Sequence, residues 1–414
     1  MSRTILLIGA FDVKGEEYAF VRRLIEAQGC LALTMDISVL GQTDRFPVDV
    51  DGAAVAAAGG SNLEELRRAR DRGAALCVMG RGAAELARRL HAEGRFDAVL
   101  ALGGGGGTGV ATSVMRALPI GVPKVMVSTL AATNTADLVG FKDITMIPSI
   151  VDIAGVNRIS EKIFKEAVGA ACGMARMDYG TSAATKPIIA ATMFGNTTPC
   201  VDRCRQALSD KGYEVLVFHC TGIGGRTMEA LVEEGQIAAV LDITTTEWAD
   251  ELCGGVFTAG ASRLEAPGKA GIPHLIVPGC LDMVNFGSPQ TVPERYRDRR
   301  LYGWSATVTL MRTNVEENAQ LGRILAGKAN AATGPVAFLL PLRGVSMLDS
   351  PGERFWWPEA DQALFDALKK NLRPGIEVVE LDGNINDAAF ADRAVEMFIR
   401  LIGQQGPMRQ GRVD

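Results

Sequence analysis

The sequence predicts an α/β protein built from two doubly wound parallel sheets, one in each half of the chain, with a cleft between them. Three observations predict it. Short β-branched apolar runs alternate with amphipathic helical stretches along nearly the whole length, the pattern of parallel strands joined by helical crossovers that cover both sheet faces. The 414 residues exceed what one core organises, since a domain takes roughly 150 residues. Finally, 47 glycines against 15 Phe, 5 Tyr and 4 Trp call for tight turns and close backbone approaches rather than an aromatic core.

Strands are expected in the first half at Thr4 to Gly9, Leu31 to Asp36, Ala98 to Leu102 and Lys124 to Ser128. The second half offers Ile188 to Met193, Glu214 to His219, Ala238 to Ile243, His274 to Pro278, Val336 to Pro341 and Glu377 to Leu381. Helices fill the intervals, among them Glu16 to Gln28 closed by Gly29 and Val201 to Lys211 closed by Gly212, glycine being the residue that takes a left-handed cap without strain. The strands Thr4 to Phe11 and Pro187 to Phe194 both end in Phe, and each capping glycine follows its Phe by 18 residues. Further on, Gly121-Val-Pro-Lys124 and Gly271-Ile-Pro-His274 are matching turns that each feed an apolar strand. Two matches in the same order indicate an internal duplication, dividing the chain into residues 1–180, residues 181–403 and a tail at 404–414. Met177 to Lys186, which has neither helical nor strand periodicity, reads as the linker. Doubly wound sheets bind ligands at the carboxyl ends of their strands, so one ligand touching both halves is expected.

Composition removes several classes of function. Lys plus Arg is 43 and Asp plus Glu is 48, a net charge of -5, so no basic field suits nucleic acid. No apolar run approaches the roughly 20 residues that cross a bilayer, and no membrane association is expected. The apolar stretch Ile5 to Phe11 is followed at once by Asp12, Lys14, Glu16 and Glu17, which makes it a strand rather than a signal peptide. Eight scattered cysteines without an export signal read as reduced thiols in a cytoplasmic protein. Cys200 and Cys204 lie one helical turn apart and read as core, whereas Cys220 and Cys280, beside glycines at strand ends, are thiol nucleophile candidates. His91, His219 and His274 are far apart, no zinc spacing occurs, and no metal ligand is assigned.

The main local signal is Ala98-Val-Leu-Ala-Leu followed by Gly103, Gly104, Gly105, Gly106, Gly107, Thr108 and Gly109 and then a helix. Strand, glycine turn and helix start, in that order, point bare amides and the positive helix end at an anion. Gly104, Gly106 and Gly109 satisfy the spacing of a dinucleotide fingerprint, but the region about 20 residues on is Ser128-Thr129-Leu130 and lacks the ribose-binding acid. The second half carries Thr221, Gly222, Gly224, Gly225, Arg226 and Thr227 in the same setting, a further anion nest beside a guanidinium. Polar strand ends add Ser128, Thr129 and Asn134 in the first half and Thr244, Thr245, Thr246 and Glu247 in the second. Glu247 either closes a capping box with Thr244 or serves as a base facing a ligand. Asp12 and Lys14, past the first strand, suit a metal and a phosphate or simply open a helix; Asp282 and Asn285 line a glycine-containing loop, and Arg343 follows another strand.

The motifs Phe11-Asp-x-Lys-Gly-Glu-Glu17, Leu102 to Thr108, Gly121-Val-Pro-Lys124, Asp143-Ile-Thr-Met146, Asp152-Ile-Ala-Gly-x-Asn-Arg-Ile-Ser160, Thr221-Gly-Ile-Gly-Gly225, Thr244-Thr-Thr-Glu247 and Pro278 to Gly287 together resemble the Tm-1-like family, the UPF0261 group. The resemblance spans nearly the full chain and implies two Rossmann-like subdomains, ATP binding and a homodimer, with no defined reaction. Ala10 and Val13 stand where the family pattern has Thr, and Ala131 to Asn134 replaces a Ser/Gly-containing loop. The resulting expectation is Mg-ATP held over Gly103 to Thr108, with a small anionic metabolite or a partner protein as second ligand. Two alternatives stand beside it: an ATP-independent enzyme acting on a phosphorylated or carboxylated metabolite, with Glu247 as base and Arg226 or Arg343 as clamp, and a regulatory binding module without turnover. A helix over Asn157 to Met174, apolar at Ile159, Ile163, Val168, Ala171 and Cys172, supplies a candidate dimer surface.

Overall fold

The computed structural model describes residues 2–178 and 186–404, and the chain divides into two units, Met1–Thr181 and Ser182–Asp414. Most of the expected linker, and the tail from 405 onwards, lie outside the described residues.

The first unit runs β1 (Thr4–Gly9), α1 (Phe11–Ala27), β2 (Leu31–Asp36), α2 (Gly52–Ala58), α3 (Leu63–Ala69), α4 (Arg72–Ala92), β3 (Ala98–Gly103), α5 (Gly105–Ala117), β4 (Lys124–Ser128), α6 (Ala136–Val139), β5 (Ile144–Pro148) and α7 (Ser160–Arg176). Its strands form one parallel sheet in the order β2-β1-β3-β4-β5. Alternation along the strands sorts the core into two layers. Leu6 and Ile8 face Val110 and Val114 of α5 and Met79 of α4. Ile5 and Leu7 face Tyr18 and Val21 of α1 and Phe164 and Val168 of α7. The helix after β1 and the helix after β3 therefore leave on opposite faces, which opens a crevice between the two strand ends.

The second unit runs β6 (Ile188–Met193), α8 (Thr198–Asp210), β7 (Glu214–His219), α9 (Ile223–Glu233), β8 (Ala239–Thr244), α10 (Glu247–Cys253), α11 (Ala266–Ala270), β9 (His274–Gly279), β10 (Met283–Phe286), β11 (Leu301–Ser305), β12 (Val308–Arg312), α12 (Val315–Asn330), β13 (Val336–Pro341), α13 (Pro358–Asn371), β14 (Glu377–Leu381) and α14 (Ala388–Gly403). Its six-stranded parallel sheet reads β7-β6-β8-β9-β13-β14. That is the strand order of the first unit with one strand added. The two Gly-x-Pro turns feed β4 and β9, which occupy equivalent positions, and the capping glycines Gly29 and Gly212 are both left-handed, with φ of 71° and 92°. Strand order, cap and turn agree with duplication.

Two features depart from the sequence expectation. β5 closes the first sheet as a short, half-exposed edge strand that was not among the expected strands. Between β9 and β13, an antiparallel sheet in the order β10-β12-β11 replaces the alternation of strand and helix.

The second unit also buries an ionic cluster. Arg312, at the end of β12, is fully buried and donates to Phe355 O at 2.7 Å, Asp361 Oδ1 at 2.6 Å and Asp349 Oδ1 at 3.4 Å. Asp282 accepts from the Ser346 hydroxyl at 2.8 Å. Burial, reinforced by the Asp349 charge, pushes the Asp282 carboxyl up to about 7 and that of Asp361 up to about 8. Burial also lifts Asp250 to about 7. An unfolded aspartate titrates near 3.9, so between roughly pH 4 and 8 the folded chain keeps protons that the unfolded chain releases. That contribution is complete below the unfolded value and is lost as pH rises through the folded one. Thermal melts are expected to show a higher Tm near pH 6 than near pH 8.5. Asp282→Asn, which fixes a neutral group there, should flatten the slope; an unchanged slope would remove Asp282 from the titrating set.

Candidate functional site

In the first unit, β3 is buried along its whole length and delivers the glycine run to the crevice. Gly103 is glycine because α5 turns straight back over it: a Cβ there would lie 2.7 Å from Thr108 N and 2.8 Å from Gly107 C. Gly104 is the N-cap of α5, in extended conformation and without a side-chain cap, and its carbonyl accepts from Thr108 N at 2.8 Å. The amides of Gly105, Gly106 and Gly107 therefore belong to the first helical turn, which has no intrahelical acceptor to give them. Thr108 and Ser128 are buried and hydrogen-bond each other at 2.7 Å, while Ser128 Oγ accepts from Leu130 N at 3.0 Å. Both hydroxyls thus brace the loop. Thr129 is exposed, and among the described residues its hydroxyl has no partner; it lies 3.9 Å from where a Gly104 side chain would begin. Asn134 accepts from Ala136 N at 3.1 Å at the start of α6.

The remaining glycines of this loop have no internal explanation. A Cβ on Gly105 or Gly109 would meet nothing within 4 Å, one on Gly107 only Leu102 O at 3.8 Å, and none of the three has positive φ. Glycine inside a helix nevertheless costs about 1 kcal/mol relative to alanine. Nothing among the described residues requires glycine at these three positions, which is also true of Gly169 and Gly173 in α7 and Gly327 in α12. Beside the loop stands a residue that the sequence reading missed. Arg72 opens α4, is exposed, and has its Nη2 3.3 Å from where a Gly106 side chain would begin.

On the α1 side of the crevice, the Asp12 and Lys14 motif meets the Asp152 motif. Asp12 Oδ2 accepts from Gly41 N at 3.1 Å, Lys14 Nζ donates to Ile153 O at 2.5 Å, and Glu17 accepts from Gly155 N at 2.6 Å. Lys14 is itself non-helical (φ -127°, ψ 26°), so the helix proper starts after it. A polar cavity of about 580 Å³ opens here, with Asp12, Lys14, Thr43, Arg45 and Asp152 on its wall. A second cavity, of about 440 Å³, adjoins the glycine loop and is lined by Ser128, Thr129, Pro148, Ile150 and Asp152 among others. Ile150 is 70% exposed with φ of 65°, a strained conformation for a β-branched residue.

The glycine loop of the second unit is built differently. It follows β7, the counterpart of β2, and so lies away from the crevice between β6 and β8. Its anion is the protein's own: Glu247 Oε1 accepts from Gly222 N at 2.8 Å and from Gly225 N at 3.1 Å. Each of these glycines is required from within, Gly222 by φ of 83°, Gly224 by His219 O at 1.9 Å from a Cβ and Gly225 by Glu247 Oε2 at 2.2 Å. Glu247 is buried, and its Oε2 accepts from Arg263 Nε at 2.7 Å. Burial raises its pKa against the pull of Arg263 and the amides. The carboxylate holds a loop in place rather than facing a ligand. No capping box forms either, because the N-cap of α10 is Thr246 and the Thr244 hydroxyl pairs with Thr197 at 2.7 Å.

Most of the other second-half candidates are similarly engaged, although Asp282 Oδ1 and Asn285 Oδ1 are buried without a hydrogen-bond partner among the described residues. Arg226 donates to Thr258 O and Ala259 O, both at 3.3 Å, and Arg343 pairs with Asp382 at 2.7 Å. The Thr221 hydroxyl donates to His219 O at 3.4 Å and that of Thr245 to Val277 O at 3.4 Å. Asn285 is buried and binds Asp250 through its backbone amide at 2.6 Å and its side-chain amide. Asp282 is buried in the cluster around Arg312. Arg263, which the sequence offers as a strand-end candidate, links Asp242 through two bonds of 2.7 Å with Glu247, and holds the Asp242 carboxyl well below its usual range against the opposing effect of burial. Cys220 and Cys280 are fully buried and burial pushes both thiols far up, the opposite of an activated nucleophile. Among the described residues, no group of three or more His, Cys, Asp or Glu could hold a metal ion. No described helix is long and apolar enough to cross a membrane.

Residues 3–180 match the N-terminal domain, and residues 186–402 the C-terminal domain, of the uncharacterised protein family UPF0261. A UPF0261 protein of Clostridium tetani is 46% identical over 403 residues, covering 97% of this chain and 100% of that protein. A UPF0261 protein of Mesorhizobium japonicum is 42% identical over 399 residues, covering 96% and 98%. The ToMV resistance protein Tm-1(GCR237) of Solanum lycopersicum is 41% identical over 337 residues, 80% of this chain and 45% of that protein. With both domains matched in order, the chain belongs to the UPF0261 family and is homologous to a region of Tm-1.

Proposed function

We propose that the first unit binds a nucleotide, ATP with Mg²⁺, by seating its phosphates on the loop Gly103 to Thr108. The observation that carries this reading is the set of glycines at 105, 107 and 109, which neither crowding nor backbone conformation requires. Amides without intrahelical acceptors at a helix start supply hydrogen bonds and a favourable dipole to phosphate, and the Thr129 hydroxyl flanks them. The resemblance to the Tm-1-like family favours ATP over NAD. The polar cavity at Asp12, Lys14 and Arg45 offers a place for a small second ligand. Binding without turnover is favoured over catalysis in the second unit, since Glu247, Arg226 and both thiols are committed internally.

A homodimer remains part of the proposal, resting on the family resemblance. The helix expected to form its surface is covered within its own unit, as Phe164, Val168, Ala171 and Cys172 of α7 enter the core beneath β3 and β4.

Isothermal titration is expected to give saturable heat with ATP in the presence of Mg²⁺ and little with NAD; heat with NAD alone would reverse the assignment. Gly105→Val should abolish that heat while circular dichroism stays native, because the new Cβ meets nothing within 4 Å. Glu247→Gln should lower Tm, since breaking a buried ion pair costs about 3–5 kcal/mol, yet leave ATP affinity unchanged. Loss of affinity with an unchanged Tm would return Glu247 to the ligand site. Light scattering should give twice the 43.9 kDa chain mass, and a value near one chain would remove the dimer.

A further inference from the structure

The glycine loop has two distinguishable flanks, and they carry different chemistry. On one side, Thr129 Oγ1 lies 3.9 Å from the Cβ position of Gly104 and borders the cavity lined by Pro148, Ile150 and Asp152. On the other, Arg72 Nη2 lies 3.3 Å from the Cβ position of Gly106. The first flank combines apolar wall, hydroxyl and carboxylate; the second has a lone guanidinium.

Arg72 is electrostatically misplaced in the protein taken by itself. It is the first residue of α4, where a cation opposes the helix dipole, and it also stands over the start of α5, a second positive helix end. Among the described residues its guanidinium has no acceptor. The nearest acid in sequence, Asp71, accepts from Ala74 N at 3.0 Å as the N-cap of α4. Two helix ends and a guanidinium converging on one spot repel one another unless an anion sits among them, and a guanidinium fork fits phosphate oxygens in two directions at once.

We propose that Arg72 binds the distal phosphate of the nucleotide, whose nucleoside end lies over Thr129 and the Ile150 cavity, so that Arg72 selects triphosphate over monophosphate. This rests on the nucleotide reading of the glycine loop and fixes the direction in which the ligand lies. Arg72 is exposed and makes no hydrogen bond to another described residue, so its replacement leaves the fold intact, which a melt at the wild-type Tm would verify.

The test is titration of wild type, Arg72→Ala and Arg72→Lys with ATP, ADP and AMP at fixed Mg²⁺ and ionic strength. Arg72→Ala should weaken ATP by about ten- to a hundredfold, as expected for charged hydrogen bonds, and leave AMP within about twofold; Arg72→Lys should recover part of the ATP loss. Equal losses for ATP and AMP would overturn the ligand direction. Unchanged ATP affinity would remove Arg72 from the site while the glycine loop reading stands. Absence of any nucleotide binding by wild type would defeat that reading, and the role of Arg72 with it.

Discussion

The first unit depends on how two neighbouring strands are kept apart. β1 and β3 pair as far as Ile8 and Ala101, and beyond that point the hydroxyl of Tyr18 stands between them. It lies 2.7 Å from Ile8 O and 2.6 Å from Leu102 O and accepts from Leu102 N at 2.9 Å. Burial holds the phenol protonated, so its single hydrogen stays available to be shared between these two carbonyls. Gly9 is glycine to admit this ring, since a Cβ there would lie 2.0 Å from Tyr18 Cζ. One phenol from α1 thus satisfies backbone groups that would otherwise be buried unpaired where the strands diverge. The crevice between the α1 start and the glycine loop stands directly above it.

The second unit meets the same geometric problem with a different solution. Past the last pair of β6 and β8, Thr192 Oγ1 donates to Asp242 and accepts from Thr244 N, and Thr197 pairs with Thr244. Asp242 is held in turn by Arg263, which also grips Glu247. The consequence is that polar capacity is spent inward. Buried carboxylates occupy the amides and the guanidinium, and a network whose members are satisfied by one another specifies a rigid core. In the first unit the corresponding loop has glycine where the second has Thr244 to Glu247, and among the described residues its helix-start amides receive no carboxylate. The two units share a strand order, and they differ in that the second supplies a carboxylate of its own to its glycine loop.

What the sequence could reveal follows from the range of the forces involved. The parallel strands, the left-handed caps at Gly29 and Gly212 and the glycine turn are set by local pattern and backbone conformation, and they stand where composition and periodicity placed them. β5, only five residues long and ending in Pro148 at the sheet edge, was not among the expected strands even though four of its residues are apolar. Glu247 was misleading as well. Thr-x-x-Glu at a strand end describes a capping box and a ligand-facing acid equally well, and the choice was made by Arg263, 16 residues away, whose pairing with Glu247 no local pattern shows. Buried charge partners of this kind leave no periodic trace.

Arg72 is the extreme of that difficulty. More than thirty residues separate it from Gly106, and the two meet only because α4 and α5 pack side by side on one sheet face, through Ala75, Met79, Ala83, Val110 and Val114. The crossing is close because small residues occupy it: a Cβ on Gly80 would lie 3.1 Å from Ser113 Oγ. Both helices run away from the carboxyl edge, so packing them closely also brings their positive ends together. An arrangement that suits apolar burial thereby concentrates donors and positive charge at one corner of the crevice. The α4 to α5 contact thus sets the position of both helix starts as well as the packing of the core.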